Sequence, residues 1–173
     1  MTWTATQGSA IFQQAMLNPI AGRCWTTAAP TTYSSLSADT IDCALFTNTG
    51  TPDKTAAVAS TGYNTGQWVT GNEISGTGYT AGGATLGTKA FAVDSSSSSI
   101  YFTSATPSWT SATISGAFGD LVYDFTISGG TVAKQGLCFN YFGGSQSVTS
   151  GTFTIQWATL PSSSQVAIFN ISV

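Results

Sequence analysis

Charged side chains are scarce in this chain of 173 residues. Lys and Arg together number 4 and Asp and Glu number 7, so charged residues make up 6 % of the sequence. An average globular domain carries roughly 25 %. A surface with so few charges repels copies of itself and other proteins only weakly. This composition favours a protein that works in close contact with other protein molecules, within an assembly.

Histidine is absent altogether. Its absence excludes Ser-His-Asp and Cys-His catalytic arrangements and most zinc sites. Binding to a phosphate backbone requires clustered basic side chains. The four basic residues stand apart from one another, so nucleic acid is not an expected partner. They are Arg23, Lys54, Lys89 and Lys134.

Cysteine and long apolar runs are also in short supply. The three cysteines, Cys24, Cys43 and Cys138, are widely spaced and form no C-x-x-C pair. This pattern predicts buried small side chains, and one disulfide with one free thiol, of unspecified pairing, remains the alternative. No run approaches ~18 apolar residues and no basic-then-apolar leader begins the chain. We therefore expect neither a membrane contact nor a signal peptide.

The few carboxylates do not form a recognisable catalytic pair. Asp39 and Asp42 lie close in sequence, as do Asp120 and Asp124. A glycosidase needs two carboxyl groups on opposite sides of a sugar, whereas Asp120 and Asp124 share one face of a strand. These residues are predicted to be solvated or to cap turns, with a calcium site as the alternative. We expect no enzyme, with no catalytic residue, no cofactor and no metal.

Glycine, in contrast, is concentrated in residues 71–87, GNEISGTGYTAGGATLG. Residues 76–81 fit the dinucleotide-binding pattern G-x-G-x-x-[G/A], but a strand-like run follows where the helix that binds the pyrophosphate would begin. Glycines that permit positive φ explain the segment as a structural loop, with a tyrosine ring covering nearby backbone. The residues predicted to shape this loop are Gly76, Gly78, Tyr79, Gly82 and Gly83.

The N-terminal residues 1–38 are predicted to form a helix and an arm. The apolar side chains of residues 9–17, SAIFQQAML, fall on one helical stripe. Trp3, Trp25 and Tyr33 are candidate anchors at an interface with another protein, because aromatic side chains contribute strongly there. The alternative is that this segment folds back over its own domain.

From residue 39 onward the apolar pattern has a period of two, which indicates strands. Serine-rich and glycine-rich turns separate these runs, including residues 94–99, 128–130, 143–144 and 161–164. Residues 39–173 are therefore predicted to form an all-β domain, an antiparallel β-sandwich of about eight strands.

Five segments in a fixed order carry a resemblance to a known family. They are residues 40–48 (TIDCALFTN), 73–86 (EISGTGYTAGGATL), 107–110 (PSWT), 117–124 (AFGDLVYD) and 143–157 (GGSQSVTSGTFTIQW). Together they resemble a family of small virion structural proteins of tailed bacteriophages. The resemblance implies a β-sandwich that begins with a short helix, and no catalytic residues. The chain departs from the family at residues 19–38.

The resemblance implies a structural role in the virion, which assembles in the host bacterial cytoplasm. The expected function is that of a capsid decoration (cement) protein, a homo-oligomer whose partners are the major capsid protein or other virion proteins. A neck or tail component is the first alternative. The second, of another class, is a carbohydrate-binding β-sandwich module in which surface aromatic rings stack on sugars.

Overall fold

The fold is all-β, as predicted. The computed structural model describes residues 3–5, 8–13, 36, 38–129, 131–161 and 163–172. Within these ranges no helix is both long and apolar enough to cross a membrane. The strands are β1 (Ala10–Ile11), β2 (Ile41–Phe46), β3 (Ala84–Thr85), β4 (Ala90–Asp94), β5 (Ser99–Thr103), β6 (Ser108–Asp124), β7 (Gly136–Thr154), β8 (Ala158–Thr159), β9 (Val166–Ala167) and β10 (Phe169–Ser172).

The strands form a large sheet, a small sheet and a short hairpin, all antiparallel. The large sheet has the order β1-β7-β6-β2-β3, and the small sheet has the order β10-β5-β4. β8 and β9 form the hairpin. The long strands β6 and β7, of 17 and 19 residues, pair along their length with several register shifts. These irregularities let one continuous hairpin follow the curvature of the sandwich.

The large sheet is buried on both faces at its centre. Alternation along β2 directs Ile41, Cys43 and Leu45 into a core shared with Phe102 of the small sheet. Ala44 and Phe46 face the opposite side, which the N-terminal segment and the loop between β2 and β3 cover. That second core includes Trp3, Phe12, Tyr63, Trp68 and Phe139. The nearly continuous apolar sequence of β2, and of Leu121, Val122 and Tyr123 in β6, follows from this two-sided burial.

The predicted N-terminal helix is not seen, and residues 10–11 form β1 instead. Ala10 pairs with Phe139 and Ile11 with Cys138 of β7. An isolated helix of this length is marginal in water, whereas pairing with β7 satisfies the backbone and buries Phe12 fully. Gln13 has helical geometry, and residues 14–17 lie outside the described residues.

Trp3 is a core residue, so its prediction as an exposed interface anchor is wrong. Its side chain is only 1 % exposed. Its ring packs edge-on against Trp68, with centroids 5.9 Å apart, and its indole N–H donates to the carbonyl of Gly8. For Trp3 the alternative holds, in which the segment folds onto its own domain. Trp25 and Tyr33 lie outside the described residues, and the division into residues 1–38 and 39–173 stays a prediction.

The structure confirms the predicted turn after Asp94 and contradicts the one predicted at residues 143–144. Residues 95–98 connect β4 to β5, and the Asp94 carboxylate accepts hydrogen bonds there from the Ser96 amide and the Ser97 hydroxyl. The predicted turn at Gly143 and Gly144 is wrong, because both lie inside β7. Their φ angles of 80° and 149° mark an irregularity of the strand rather than its end.

Candidate functional site

The predicted glycine loop packs against the backbone of the large sheet. Gly78, Gly82 and Gly83 have φ angles of 75°, 96° and 83°, which residues other than glycine rarely adopt. At Gly83 a Cβ atom would overlap the carbonyl oxygen of Cys43 in β2, and at Gly76 it would overlap that of Thr113 in β6. The loop thus approaches two strands more closely than any side chain would permit.

A buried carboxylate, Glu73, holds this loop through hydrogen bonds. Glu73 is 7 % exposed. Its Oε1 accepts hydrogen bonds from the Tyr79 hydroxyl and the Gly82 amide, both at 2.7 Å. Its Oε2 accepts one from the Tyr63 hydroxyl at 2.8 Å. The Tyr79 oxygen in turn accepts a hydrogen bond from the Leu45 amide, so the network connects the loop to β2.

The electrostatics of this network favour structure over catalysis. Burial raises the pKa of both Tyr63 and Tyr79, and the nearby Glu73 charge raises each further. The two phenols therefore stay protonated and serve as donors. With three donors on its two oxygens, the Glu73 carboxylate is occupied in holding the loop. The sequence did not reveal Glu73 as a partner, because its contact with Tyr63 crosses ten positions and follows no local pattern.

Asp120 and Asp124 are buried, so the expectation that they are solvated is wrong. Both side chains are 0 % exposed, on the face of β6 that also carries Val122. Asp120 Oδ1 accepts a hydrogen bond from the Asn140 amide at 2.9 Å, and its Oδ2 has no partner among the described residues. Asp124 does cap a turn, since its Oδ1 accepts from the Thr126 amide.

The burial of these two carboxyl groups raises their pKa values. Desolvation raises the pKa of Asp120 to about 7, against the opposing effect of its hydrogen bond from Asn140. Desolvation also raises the pKa of Asp124 to about 7, and the neighbouring carboxylate of Asp39 adds to the effect. Both groups therefore hold protons in the folded chain at pH values where the unfolded chain has lost them.

We expect stability to fall as the pH rises from 5 to 8. The folded chain binds more protons than the unfolded chain between about pH 4 and 7, so unfolding releases protons and becomes easier as pH rises. The free energy of unfolding, from urea titrations at both pH values, should be higher at pH 5 by at least about 1.4 kcal/mol, the value of one pKa unit.

Asp120→Asn provides the control for this pH dependence, because asparagine keeps the acceptor for Asn140 and cannot ionise. The variant should lose a large part of the difference between pH 5 and pH 8. Asp53 and Asp94 do not interfere, because hydrogen bonds lower the pKa of each and they titrate below this range. A free energy of unfolding that rises from pH 5 to 8 would contradict the burial of ionisable Asp120 and Asp124.

Two of the three cysteines are free and buried, as the sequence predicted. Cys43 in β2 and Cys138 in β7 lie on either side of Val122, with which both pair in register. Burial raises the pKa of both thiols, which therefore stay protonated. Cys24 lies outside the described residues. These thiols are packing residues of the first core.

A concave groove lies between β7 and the β8–β9 hairpin. It consists of two adjoining cavities of about 650 and 420 Å³, which share Ser9, Asn140 and Ile168 among their lining residues. None of the residues that line either cavity is charged. The larger volume lies within the range of about 300–1,000 Å³ usual for ligand sites. No sequence pattern indicates this groove, since its lining comes from segments far apart in the chain.

The groove lies beside the edge of the large sheet that β1 pairs with only in part. β1 pairs with β7 at Cys138 and Phe139, and the Ser9 hydroxyl then accepts a hydrogen bond from the Tyr141 amide at 2.8 Å. Beyond Tyr141, no strand of the described chain pairs with the outer edge of β7. Unpaired strand edges are ready surfaces for pairing with another chain.

Comparison with known proteins adds no assignment to this geometry. No protein-family model, no curated protein and no solved structure matches the chain. The resemblance to phage virion proteins therefore depends on the sequence segments alone, and the site has to be interpreted from its own residues.

Proposed function

We propose that this chain is a structural virion protein of a tailed bacteriophage, a capsid decoration (cement) protein on the shell of the major capsid protein. The observation that carries the proposal is that β10 and β4, the two edge strands of the small sheet, have no further strand partner among the described residues. One of these edges borders the groove, which reaches Phe169 and Asn170 of β10. The other is β4, the far edge strand of the same sheet. A protein that bridges two neighbouring subunits needs two such separate surfaces.

The β4 surface is apolar. Val93 is 73 % exposed and Phe91 is 45 % exposed, and the two lie two residues apart on one face. The Phe91 ring stacks on Phe102, with centroids 5.3 Å apart, so its position is fixed before any partner binds. Burying such side chains against another protein contributes favourably through the hydrophobic effect.

The proposed mechanism involves binding equilibria and no chemistry. A protein that binds the assembled shell, and not its separated subunits, stabilises the assembled state in proportion to its free concentration over its dissociation constant. The low charge of the chain is consistent with this role, because neighbouring copies on a lattice repel each other little. A neck or tail component would use the same kinds of contact at fewer positions in the virion.

Val93→Lys should weaken binding of the purified chain to capsids of the phage that encodes it by at least about tenfold, or ~1.4 kcal/mol. The substitution places a charge in the apolar β4 surface without disturbing the core. Thr110→Lys, on an exposed position of β6, adds the same charge elsewhere and should leave binding unchanged. Co-sedimentation with capsids measures both. Equal binding by wild type and Val93→Lys would remove the β4 surface from the account.

The composition of the groove favours a carbohydrate-binding module as the second candidate. Asn140, Gln146 and Gln156 line it with amides, and Phe142 and Trp157 line it with aromatic rings. Amides and hydroxyls hydrogen-bond sugar hydroxyls, and aromatic faces pack on sugar rings. Binding on a glycan array that Gln156→Ala abolishes would favour this function over the virion role.

A further inference from the structure

We infer that the groove beside β7 takes an extended, uncharged peptide segment of another protein, which adds as a strand to the outer edge of β7. The inference relies on the proposed function only for the identity of that protein, a neighbouring virion subunit. The recognition itself follows from the edge and the groove.

The main chain of β7 provides the first part of this recognition. β1 covers only the positions around Cys138 and Phe139, and Ser9 takes up the amide of Tyr141. The outer edge from Phe142 to Thr154 then continues without a partner strand among the described residues. An incoming strand in line with β1 would pair with this edge, which is the main-chain recognition used in strand addition.

The sequence of β7 lacks two of the three features that normally prevent such pairing. Free edges of natural sheets are protected by charged side chains, proline or bulges. β7, GLCFNYFGGSQSVTSGTFT, contains no Lys, Arg, Asp, Glu or Pro over its 19 residues. Bulges are present, because register shifts interrupt the β6–β7 ladder around Gly143 and Gly144 and again between Val148 and Gly151, where Ser150 has a φ of 50°. Pairing is therefore expected in the regular stretches on either side of these irregularities.

The groove provides the second part, because it selects side chains. Successive residues of an added strand point alternately into the groove and away from it. The apolar groove residues Phe142, Phe153 and Trp157 suit apolar side chains at alternate positions, and Gln146 and Gln156 suit hydroxyls or amides. A charged side chain would lose water there without gaining a partner of opposite charge, which is costly. The expected segment is uncharged, with apolar residues at every second position.

A selection from a library of random nine-residue peptides, with the full chain as bait, tests this inference. The enriched peptides should be uncharged and should alternate apolar with polar residues. In an NMR titration of the ¹⁵N-labelled chain, the best peptide should shift the amides of Ser9 and residues 141–154. The same peptide with alternate amides N-methylated should bind at least tenfold more weakly, because it cannot pair with the edge.

Matched variants locate the site. Thr152 lines the groove and Thr149 does not, and both are exposed in β7. Thr152→Lys should reduce binding of the selected peptide at least tenfold, and Thr149→Lys should leave it unchanged. Enrichment of charged peptides, no enrichment, equal effects of the two variants, or displacement of the peptide by cellohexaose would each overturn the inference.

The proposed function can fail separately from this inference. Peptide binding in the groove without binding of the chain to capsids would retain strand addition and reject the virion role. If instead no peptide is selected and Thr152→Lys binds capsids as well as the wild type does, the virion role is retained and strand addition in the groove is rejected.

Discussion

Replacement of Glu73 by leucine should lower the free energy of unfolding by about 3–5 kcal/mol. The substitution removes the acceptor of three hydrogen bonds at once, from the hydroxyls of Tyr63 and Tyr79 and from the Gly82 amide. Each buried donor left without a partner costs about 1–3 kcal/mol, and the costs add incompletely because the donors share one acceptor. Urea denaturation followed by circular dichroism measures the loss.

Glu73→Gln is the matched control. The side-chain carbonyl oxygen of glutamine can still accept hydrogen bonds from Tyr79 and Gly82, and its amide NH2 group can donate one to the Tyr63 oxygen. We expect this variant to lose less than half of what Glu73→Leu loses. Tyr63→Phe, which removes one donor, should cost about 1–2 kcal/mol. If leucine and glutamine at position 73 cost the same, the network does not hold the glycine loop.

Gly83→Ala should cost about 2–5 kcal/mol. Two effects combine at this position. An alanine at φ 83° is strained by about 1–3 kcal/mol. Its Cβ atom would also overlap the carbonyl oxygen of Cys43, which would force the loop away from β2. The same urea titration gives the value.

Two other glycines separate these effects. Gly82 has φ 96°, but its Cβ would meet nothing closer than the Tyr123 hydroxyl at 3.3 Å, so Gly82→Ala should cost only the strain. Gly71 has nothing within 4 Å of a Cβ, and Gly71→Ala should change stability by less than about 0.5 kcal/mol. Equal losses at Gly82 and Gly83 would show that close packing against β2 contributes nothing.

The sequence predicted those parts of the fold that depend on local patterns. The alternation of Ile41, Cys43 and Leu45 identified β2, and the serine tract after Asp94 identified a turn between two strands. Burial of Phe153, Ile155 and Trp157 likewise follows the period of two that the sequence displays. Strand periodicity and turn residues act over a few positions, so a single sequence is sufficient to detect them.

Features that depend on distant contacts were not predictable. Residues 10–11 belong to a segment that fits a helical stripe, and only the free edge of β7, more than 120 positions later, makes them a strand. Asp120 looks like a surface residue because it is charged, yet its partner Asn140 and its neighbour Leu45 come from two other strands. The groove likewise combines Ser9 with residues 140–170.

The number of copies of this chain per virion tests the central claim most directly. Quantitative mass spectrometry of purified particles, with the major capsid protein as internal standard, gives the ratio. A decoration protein that bridges capsid subunits should be present in hundreds of copies and should leave the particle together with loss of shell stability. Tens of copies would indicate a neck or tail component. Absence from purified particles would contradict the account altogether.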